Sequence, residues 1–152
     1  LMIFDSWVGL LDSVSFEAFE RPAVQRIVND LRERVSVPLI YFPNQGGHLH
    51  GSVAGLDVDV IGVDWRVPLA EADVNLGSGR YTLQGNLDPS LLFAPEATLD
   101  EGVDRVLSAA SGLRGHIFNL GHGIDRHTDP DQLARVVDRV HAAQAGGGRW
   151  SA

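Results

Sequence analysis

The side chains best placed for chemistry come directly after predicted strands. Gly121-His122-Gly123 follows the apolar run His116–Leu120, and a glycine on each side leaves the imidazole unshielded at the end of that strand. A histidine in this position can donate to an anion or transfer a proton near neutral pH. Ser6 holds the equivalent position after the first strand, where its hydroxyl either binds a carboxylate or caps a turn. Both residues are candidates for a site, and for both a purely local role in a turn stays open.

A second group of residues raises the question of a metal site. His48 and His50 stand two residues apart, and with Asp64, His116 and His122 they would outline a metal-dependent hydrolase on a barrel. Histidines at this spacing converge on one ion in a strand, whereas these two follow a pair of glycines and are predicted to enter a helix, where they diverge. His116 also comes early in its strand, away from the end where ligands bind. We therefore predict no metal site and keep the hydrolase as an alternative.

The composition narrows the chemistry further. The chain has 152 residues with 12 arginines, no lysine and no cysteine. The lack of cysteine excludes disulfides, thiolate metal sites and cysteine nucleophiles, and the lack of lysine excludes a Schiff base within this chain. A formal charge of −8 argues against nucleic acid or anionic membranes as partners. No apolar run approaches the ~20 residues that cross a bilayer, and no signal peptide is visible, so we expect a cytoplasmic location.

Strand and helix signals alternate along the chain. Five apolar runs are predicted as strands, at residues 1–4, 37–42, 58–63, 81–83 and 116–120. The helices between them are predicted from caps, prolines and glycines, at Ser15, Pro22, Gly47, residues 68–76 with Gly77, and Asp129-Pro130. Thr98 and Glu101 form a capping-box pattern before a further helix. The helix acids are predicted to face solvent, among them Glu17, Asp100, Asp104 and Asp138.

This alternation predicts an α/β protein with a parallel sheet. A doubly wound sheet should carry a Gly-rich phosphate loop, whereas in a (β/α)8 TIM barrel the site residues follow the strand ends. The phosphate-loop patterns are absent and polar strand ends are present, so the barrel is favoured. Because a closed barrel takes ~250 residues, we predict about five consecutive βα units over residues 1–145 and a flexible tail at 146–152. The apolar start at Leu1 is interpreted as a cut edge.

Six runs along the chain, in register, resemble uroporphyrinogen decarboxylases. They are Phe4-Asp5-Ser6-Trp7-x-Gly9, Phe16-x-x-Phe19-x-x-Pro22, Gly62-x-Asp64-Trp65, Leu83-Gln84-Gly85-Asn86-Leu87-Asp88-Pro89, Asn119-Leu120-Gly121-His122-Gly123 and Val136-x-x-x-Val140-His141. The resemblance extends to about Gln144 and corresponds to the C-terminal part of such an enzyme. One departure lies at Asn44-Gln45, where the family often has a lysine followed by glycine.

The resemblance implies a carboxy-lyase of porphyrin and haem biosynthesis that works without a cofactor. The family converts uroporphyrinogen III into coproporphyrinogen III by removing four acetate carboxyls, and it is typically homodimeric. The motif match implies that Ser6 and His122 bind the tetrapyrrole substrate, with His122 as the catalytic candidate. The family's N-terminal arginines, its aspartate facing the pyrrole nitrogens and its active-site tyrosine have no counterpart here. We therefore expect this chain alone to be inactive.

Two further functions stay open beside the hydrolase. Corrinoid-linked methyltransferases share the barrel fold, but they generally need a zinc site with a cysteine ligand, which this chain does not contain. A non-catalytic module that binds a tetrapyrrole or a protein partner is the other alternative.

Overall fold

Strands and helices alternate through residues 1–145, which a computed structural model describes; the predicted tail at 146–152 lies outside the described residues. The strands are β1 Met2–Asp5, β2 Ile40–Pro43, β3 Val60–Gly62, β4 Thr82–Leu87 and β5 His116–Leu120. The α-helices are α1 Ser13–Ser15, α2 Arg21–Arg34, α3 His50–Val53, α4 Leu69–Leu76, α5 Glu96–Ala110 and α6 Pro130–Ala145. Short 3-10 helices and one π-helical turn lie between them, at Val8–Leu10, Phe16–Glu20, Gly47–Leu49 and Pro89–Phe93. No helix in this part of the chain has the length and apolar character needed to cross a bilayer.

All five strands are parallel and follow one another in sequence order across a single sheet. Each connection must therefore return along the outside of the sheet before the next strand begins. The sheet also curls. This is shown by the amide of Gln84 on β4, which comes within 3.8 Å of the sulfur of Met2 on β1, three strands away. Consecutive parallel strands with this curl form part of a barrel wall. The predicted α/β architecture with five βα units is confirmed.

The core lies between the outer face of the sheet and the helices. Tyr41, Ile61 and Leu83 point to this face from three adjacent strands, and all three are fully buried. They belong to one cluster with apolar helix residues, including Val24, Val28, Ala72, Leu99 and Val103. The opposite face, which is the inner face of the barrel wall, is open. There Phe4 is 66% exposed and Ile117 is 41% exposed.

Two strand boundaries differ from the sequence prediction by three residues or more. The sequence predicts β2 from residue 37, but the strand begins at Ile40. Pro38 has no backbone N–H, and the N–H of Leu39 donates to the Asp59 carboxylate at 2.7 Å. Neither residue therefore offers an N–H to a neighbouring strand. β4 runs on to Leu87 because its pairing with β5 continues along the whole of that strand.

Two predicted helix starts are wrong. Asp12 caps α1, since its carboxylate accepts the N–H of Ser15 at 2.7 Å, so Ser15 lies inside the helix. The capping box at Thr98 is also wrong, because α5 begins at Glu96. The N–H of Thr98 already donates to the carbonyl of Pro95 at 2.9 Å, so Thr98 belongs to the first turn rather than to the cap.

Two of the acids predicted to face solvent also join α5 to α6. Asp104 is exposed, as predicted, whereas Asp100 is half-buried. Asp100 accepts two hydrogen bonds from Arg135, at 2.8 Å from Nε and 2.7 Å from Nη2. Asp104 accepts a hydrogen bond from Nε of Arg139 at 2.7 Å. These bonds to arginine hold the pKa of each carboxyl below its usual value. The last two helices are therefore joined by charged pairs as well as by apolar packing.

Candidate active site

The inner face of the barrel wall carries aromatic side chains and the amides of Gln84 and Asn119. Phe4 pairs with Phe42, and Gln84 stands between Gly62 and Ile117 in the strand register. The two phenylalanine rings meet edge to face, with their centroids 6.3 Å apart. A Cβ on Gly62 would lie 2.6 Å from the Phe42 ring, so this close approach requires glycine. The face is therefore mainly apolar, with Gln84 as a polar group within it.

A cavity of about 200 Å³ lies on this inner face, and we call it the axial cavity. Its lining comes from all five strands and the loop after β5, including Phe4, Phe42, Gly62, Gln84, Asn119 and His122. His122 is exposed, in agreement with the glycines on each side of it. The loop after β5 therefore brings an accessible imidazole to a concave, largely apolar space.

The turn after β3 supports the loop that carries His122. The indole of Trp65 and the imidazole of His122 meet edge to face, with centroids 5.9 Å apart and ring planes at 74°. A Cβ on Gly121 would lie 2.3 Å from the backbone nitrogen of Trp65, so only glycine allows the two segments to approach this closely. The sequence places Trp65 at a strand end but gives no sign of its contact with His122. The strand order of the sheet is the signal that could have suggested it.

Hydrogen bonds hold this turn in shape. Asp64 is buried, and its carboxylate accepts the backbone N–H of Arg66 at 2.8 Å. The Arg66 guanidinium lies 3.7 Å from that carboxylate and 3.8 Å above the centroid of the Trp65 ring. Asn86 on β4 donates its amide to the carbonyls of Asp64, at 3.0 Å, and Val67, at 2.7 Å. Asp64 and Asn86 therefore stabilise the turn after β3.

Ser6 lies at the same end of the sheet as His122, but after the strand at the opposite edge. Its side chain is exposed, and its backbone carbonyl accepts a hydrogen bond from the Asn44 amide at 3.1 Å. It is absent from the residues that line the axial cavity, so the described residues bring His122 but not Ser6 to that space. Asn44, where the sequence departs from the family pattern, ties the loop after β2 to the loop after β1.

The histidines considered as metal ligands have different surroundings. His48 is exposed with Nε2 2.8 Å from the carbonyl of Leu11, whereas His50 is buried and its Nδ1 has no partner. Nε2 of His116 lies 2.6 Å from the carbonyl of Gly85. Burial lowers the pKa of both His50 and His116. Within residues 1–145, no three histidine or acidic side chains are close enough to share a metal ion.

Comparison with known proteins gives one consistent family. The family model described as Uroporphyrinogen decarboxylase (URO-D) matches residues 1–143. Proteins named uroporphyrinogen decarboxylase from Streptomyces griseus and Cupriavidus necator are 46% and 45% identical to this chain over 95% and 93% of its length. The matched parts are 39% and 40% of those relatives, so the chain spans about two-fifths of their length.

A solved structure supports the fold independently. The methyltransferase from Methanosarcina mazei superposes with a TM-score of 0.75 over 94% of this chain and 42% of that chain. At 17% identity, this likeness extends to the fold alone.

Proposed function

This chain belongs to the uroporphyrinogen decarboxylase family, and we propose that within a closed barrel it converts uroporphyrinogen III into coproporphyrinogen III. The reaction removes four acetate carboxyls during porphyrin biosynthesis, so the closed protein is a carboxy-lyase. The observation that carries the proposal is the place of His122 on the axial cavity of a chain that matches the family over residues 1–143.

The chemistry requires neither lysine nor cysteine, the two residue types that this chain lacks. A proton adds to the pyrrole carbon beside the one that bears the acetate arm, and the ring becomes cationic. The bond between the methylene and the carboxylate then breaks, carbon dioxide leaves, and the electron pair forms an exocyclic double bond that neutralises the ring. A second proton converts the exocyclic methylene into a methyl group, and loss of the first proton restores the pyrrole. Each arm thus consumes one proton and releases one carbon dioxide.

The protein must hold the macrocycle, neutralise its carboxylates and stabilise the cationic ring. His122 donates a proton or a hydrogen bond to the tetrapyrrole from the wall of the axial cavity. The exposed hydroxyl of Ser6 donates to a substrate carboxylate at the end of β1. Phe4 and Phe42 offer the apolar surface on which the pyrrole rings pack.

Charge limits what this chain does alone. Uroporphyrinogen carries eight carboxylates and the chain has a formal charge of −8, so the two repel each other. The Arg66 guanidinium, which stacks on Trp65 beside His122, already lies 3.7 Å from the Asp64 carboxylate. We therefore expect poor binding of uroporphyrinogen and no measurable turnover by the 152-residue chain.

A chimera tests the proposal. Residues 1–143 replace the matching segment of the Streptomyces griseus relative, whose remaining sequence closes the barrel. We expect the chimera to form coproporphyrinogen III, measured by chromatography of the oxidised porphyrins, and the isolated chain to form none. In the chimera, His122→Ala should lower turnover by about a hundredfold or more, the usual size of a general acid–base contribution. The matched control is His141→Ala, since His141 is exposed on α6.

The outcomes separate the candidate functions. A folded chimera that forms no product beside an active relative contradicts the decarboxylase proposal. A chimera that binds uroporphyrinogen without turnover favours the non-catalytic tetrapyrrole-binding module. Clear turnover by the isolated chain contradicts the charge argument.

The proposal includes a homodimer and a cytoplasmic location, both implied by the family resemblance. Light scattering of the chimera should give twice the monomer mass, and cell fractionation should recover the activity with cytoplasmic proteins. A fully active monomer contradicts the dimer but leaves the reaction intact.

A further inference from the structure

Trp65 contacts His122 without lining the axial cavity. A second cavity of about 510 Å³, at the ends of β3, β4 and β5, is lined by both residues. The axial cavity is lined by His122 but not by Trp65. The imidazole therefore stands between the two cavities, with the indole against it on the side of the second cavity.

Packing orients this imidazole, because hydrogen bonds do not. Among residues 1–145, the imidazoles that form hydrogen bonds are those of His48, His116 and His127. His122 has a glycine on each side, so its backbone restricts the ring little. Its edge-to-face contact with Trp65 is the aromatic contact that it makes within the described chain.

We propose that Trp65 is a positioning residue for His122, and that its indole aims the imidazole at the axial cavity. The indole is itself held on a rigid turn. The guanidinium of Arg66 stacks on its ring at 3.8 Å and stays beside the buried carboxylate of Asp64. Asn86 fixes the backbone on both sides of Trp65. The position of the imidazole therefore depends on β3 and β4, as well as on its own loop.

Side-chain NMR of the 152-residue chain tests the contact directly. The indole ring current acts on the imidazole protons of His122, so Trp65→Leu should shift these resonances more than those of any other histidine. The matched control is Trp7→Leu, because Trp7 is 78% exposed and has no contact with His122. Arg66→Gln should produce a smaller shift of the same resonances, since the indole loses the cation that holds it.

Each outcome decides the question. Unchanged His122 resonances in Trp65→Leu, or a shift equal to that in Trp7→Leu, contradict the proposal. Trp65 is half-buried and does not belong to the apolar core cluster, so its replacement leaves the core intact. If Trp65→Leu nevertheless unfolds, Trp65→Phe takes its place in the test. Because a benzene ring has a different ring current from an indole, the His122 imidazole protons should shift from their positions in the parent chain more than those of any other histidine.

The catalytic consequence rests on the proposed function and is measured in the chimera. Trp65→Leu should lower kcat about three- to tenfold with KM little changed, because the contact orients a reacting group rather than binding substrate. Trp65→Phe should restore most of the loss. A shift in the NMR spectrum without any activity in the unmodified chimera contradicts the proposed function and leaves the positioning role standing. An active chimera whose kcat and KM are unchanged by Trp65→Leu contradicts the catalytic part of the inference.

Discussion

At the scale of single residues, His50 is a buried titratable side chain with an unpaired ring nitrogen. It is the first residue of α3, only 2% exposed, and its Nδ1 has no hydrogen-bond partner. Burial lowers its pKa; the nearby Asp64 carboxylate opposes this effect, and His48 adds to it. A buried polar atom without a partner destabilises the folded state relative to the unfolded chain, in which water satisfies it.

We predict that His50→Leu stabilises the chain and reduces its sensitivity to acid. A histidine whose pKa falls on folding binds its proton more readily when unfolded, so the free energy of unfolding decreases as the pH falls below about 6.5. The leucine variant has no such proton to bind. In urea unfolding at pH 7, the free energy of unfolding of His50→Leu should exceed that of the parent chain by about 1 kcal/mol. Between pH 7 and pH 5, this free energy should decrease less in the variant than in the parent chain. His141→Leu on the surface is the control, and an unchanged pH dependence in His50→Leu would contradict the prediction.

At the scale of elements, the turn between β3 and α4 depends on one side chain of β4. Asn86 donates to two carbonyls of that turn, Asp64 and Val67. These two hydrogen bonds connect β4, which contains Gln84, to the turn after β3, which contains Trp65. Loss of the amide removes the donor to the Val67 carbonyl and leaves the Asp64 carbonyl with only the long bond from the N–H of Val67, at 3.5 Å. The support beneath His122 is thereby loosened.

We expect Asn86→Ala to lower the free energy of unfolding by about 1–3 kcal/mol, the usual loss when buried hydrogen-bonding groups are left unpaired. Urea unfolding followed by circular dichroism measures it. Asn29→Ala is the matched control, because Asn29 is exposed on α2 and only accepts a hydrogen bond from Gln25. Equal losses in the two variants would show that Asn86 has no special part in the turn.

The charged contact between α5 and α6 leads to a prediction about how thermal stability depends on salt and pH. Arg135 bonds to Asp100 through two nitrogens and lies 2.6 Å from Glu96. Arg135→Gln should therefore lower the Tm modestly, and the difference from the parent chain should shrink at high salt. It should also shrink as the pH falls, because the pKa of Asp100 is lowered by Arg135 and protonation of the carboxylate removes from the parent chain a pair that the variant already lacks.

Thermal unfolding at two salt concentrations and at pH 7 and pH 3 measures these effects. Arg26→Gln on the exposed face of α2 is the control. A difference that stays constant across salt and pH would mean that Arg135 stabilises α6 through packing of its methylene stem instead of its charge.

At the scale of the whole molecule, the described sheet ends at β1 on one side and at β5 on the other. Edge strands keep backbone groups that can pair with another chain, and the open inner face adds apolar surface. Phe4 and Ile117 are the large side chains exposed on that face. The structure therefore buries its outer face well and leaves its inner face available for contact.

We predict that the isolated chain associates with itself through this inner face. Light scattering after size exclusion should show species above 16.4 kDa that increase with concentration. The double variant Phe4→Ser, Ile117→Ser should reduce them, whereas Val74→Ser on the outside of α4 should not, although Val74 is 67% exposed. A parent chain that stays monomeric at all concentrations would contradict this prediction.

The sequence by itself determined the order of the elements and the residues at the strand ends. Both depend on local physics: the spacing of apolar residues, the start of α6 after Asp129, and the end of α4 at Gly77, whose φ of 101° suits glycine. The candidate His122 could be named for the same reason, since its flanking glycines and preceding strand are neighbours in the chain. The roles assigned to His122 and Ser6 remain predictions, and the chimera tests that of His122.

Only the tertiary structure decided which distant residues meet. Trp65 contacts His122, Asp100 pairs with Arg135, and the Gln84 amide reaches Met2 across the curl of the sheet. None of these pairs has a spacing that a helix or strand period would connect. They depend on strand register, on the curl and on the packing of helices against the outer face, which are set by interactions summed over the whole molecule. For this reason the sequence could place each partner in a strand, at a strand end or on a helix but could not bring the two together.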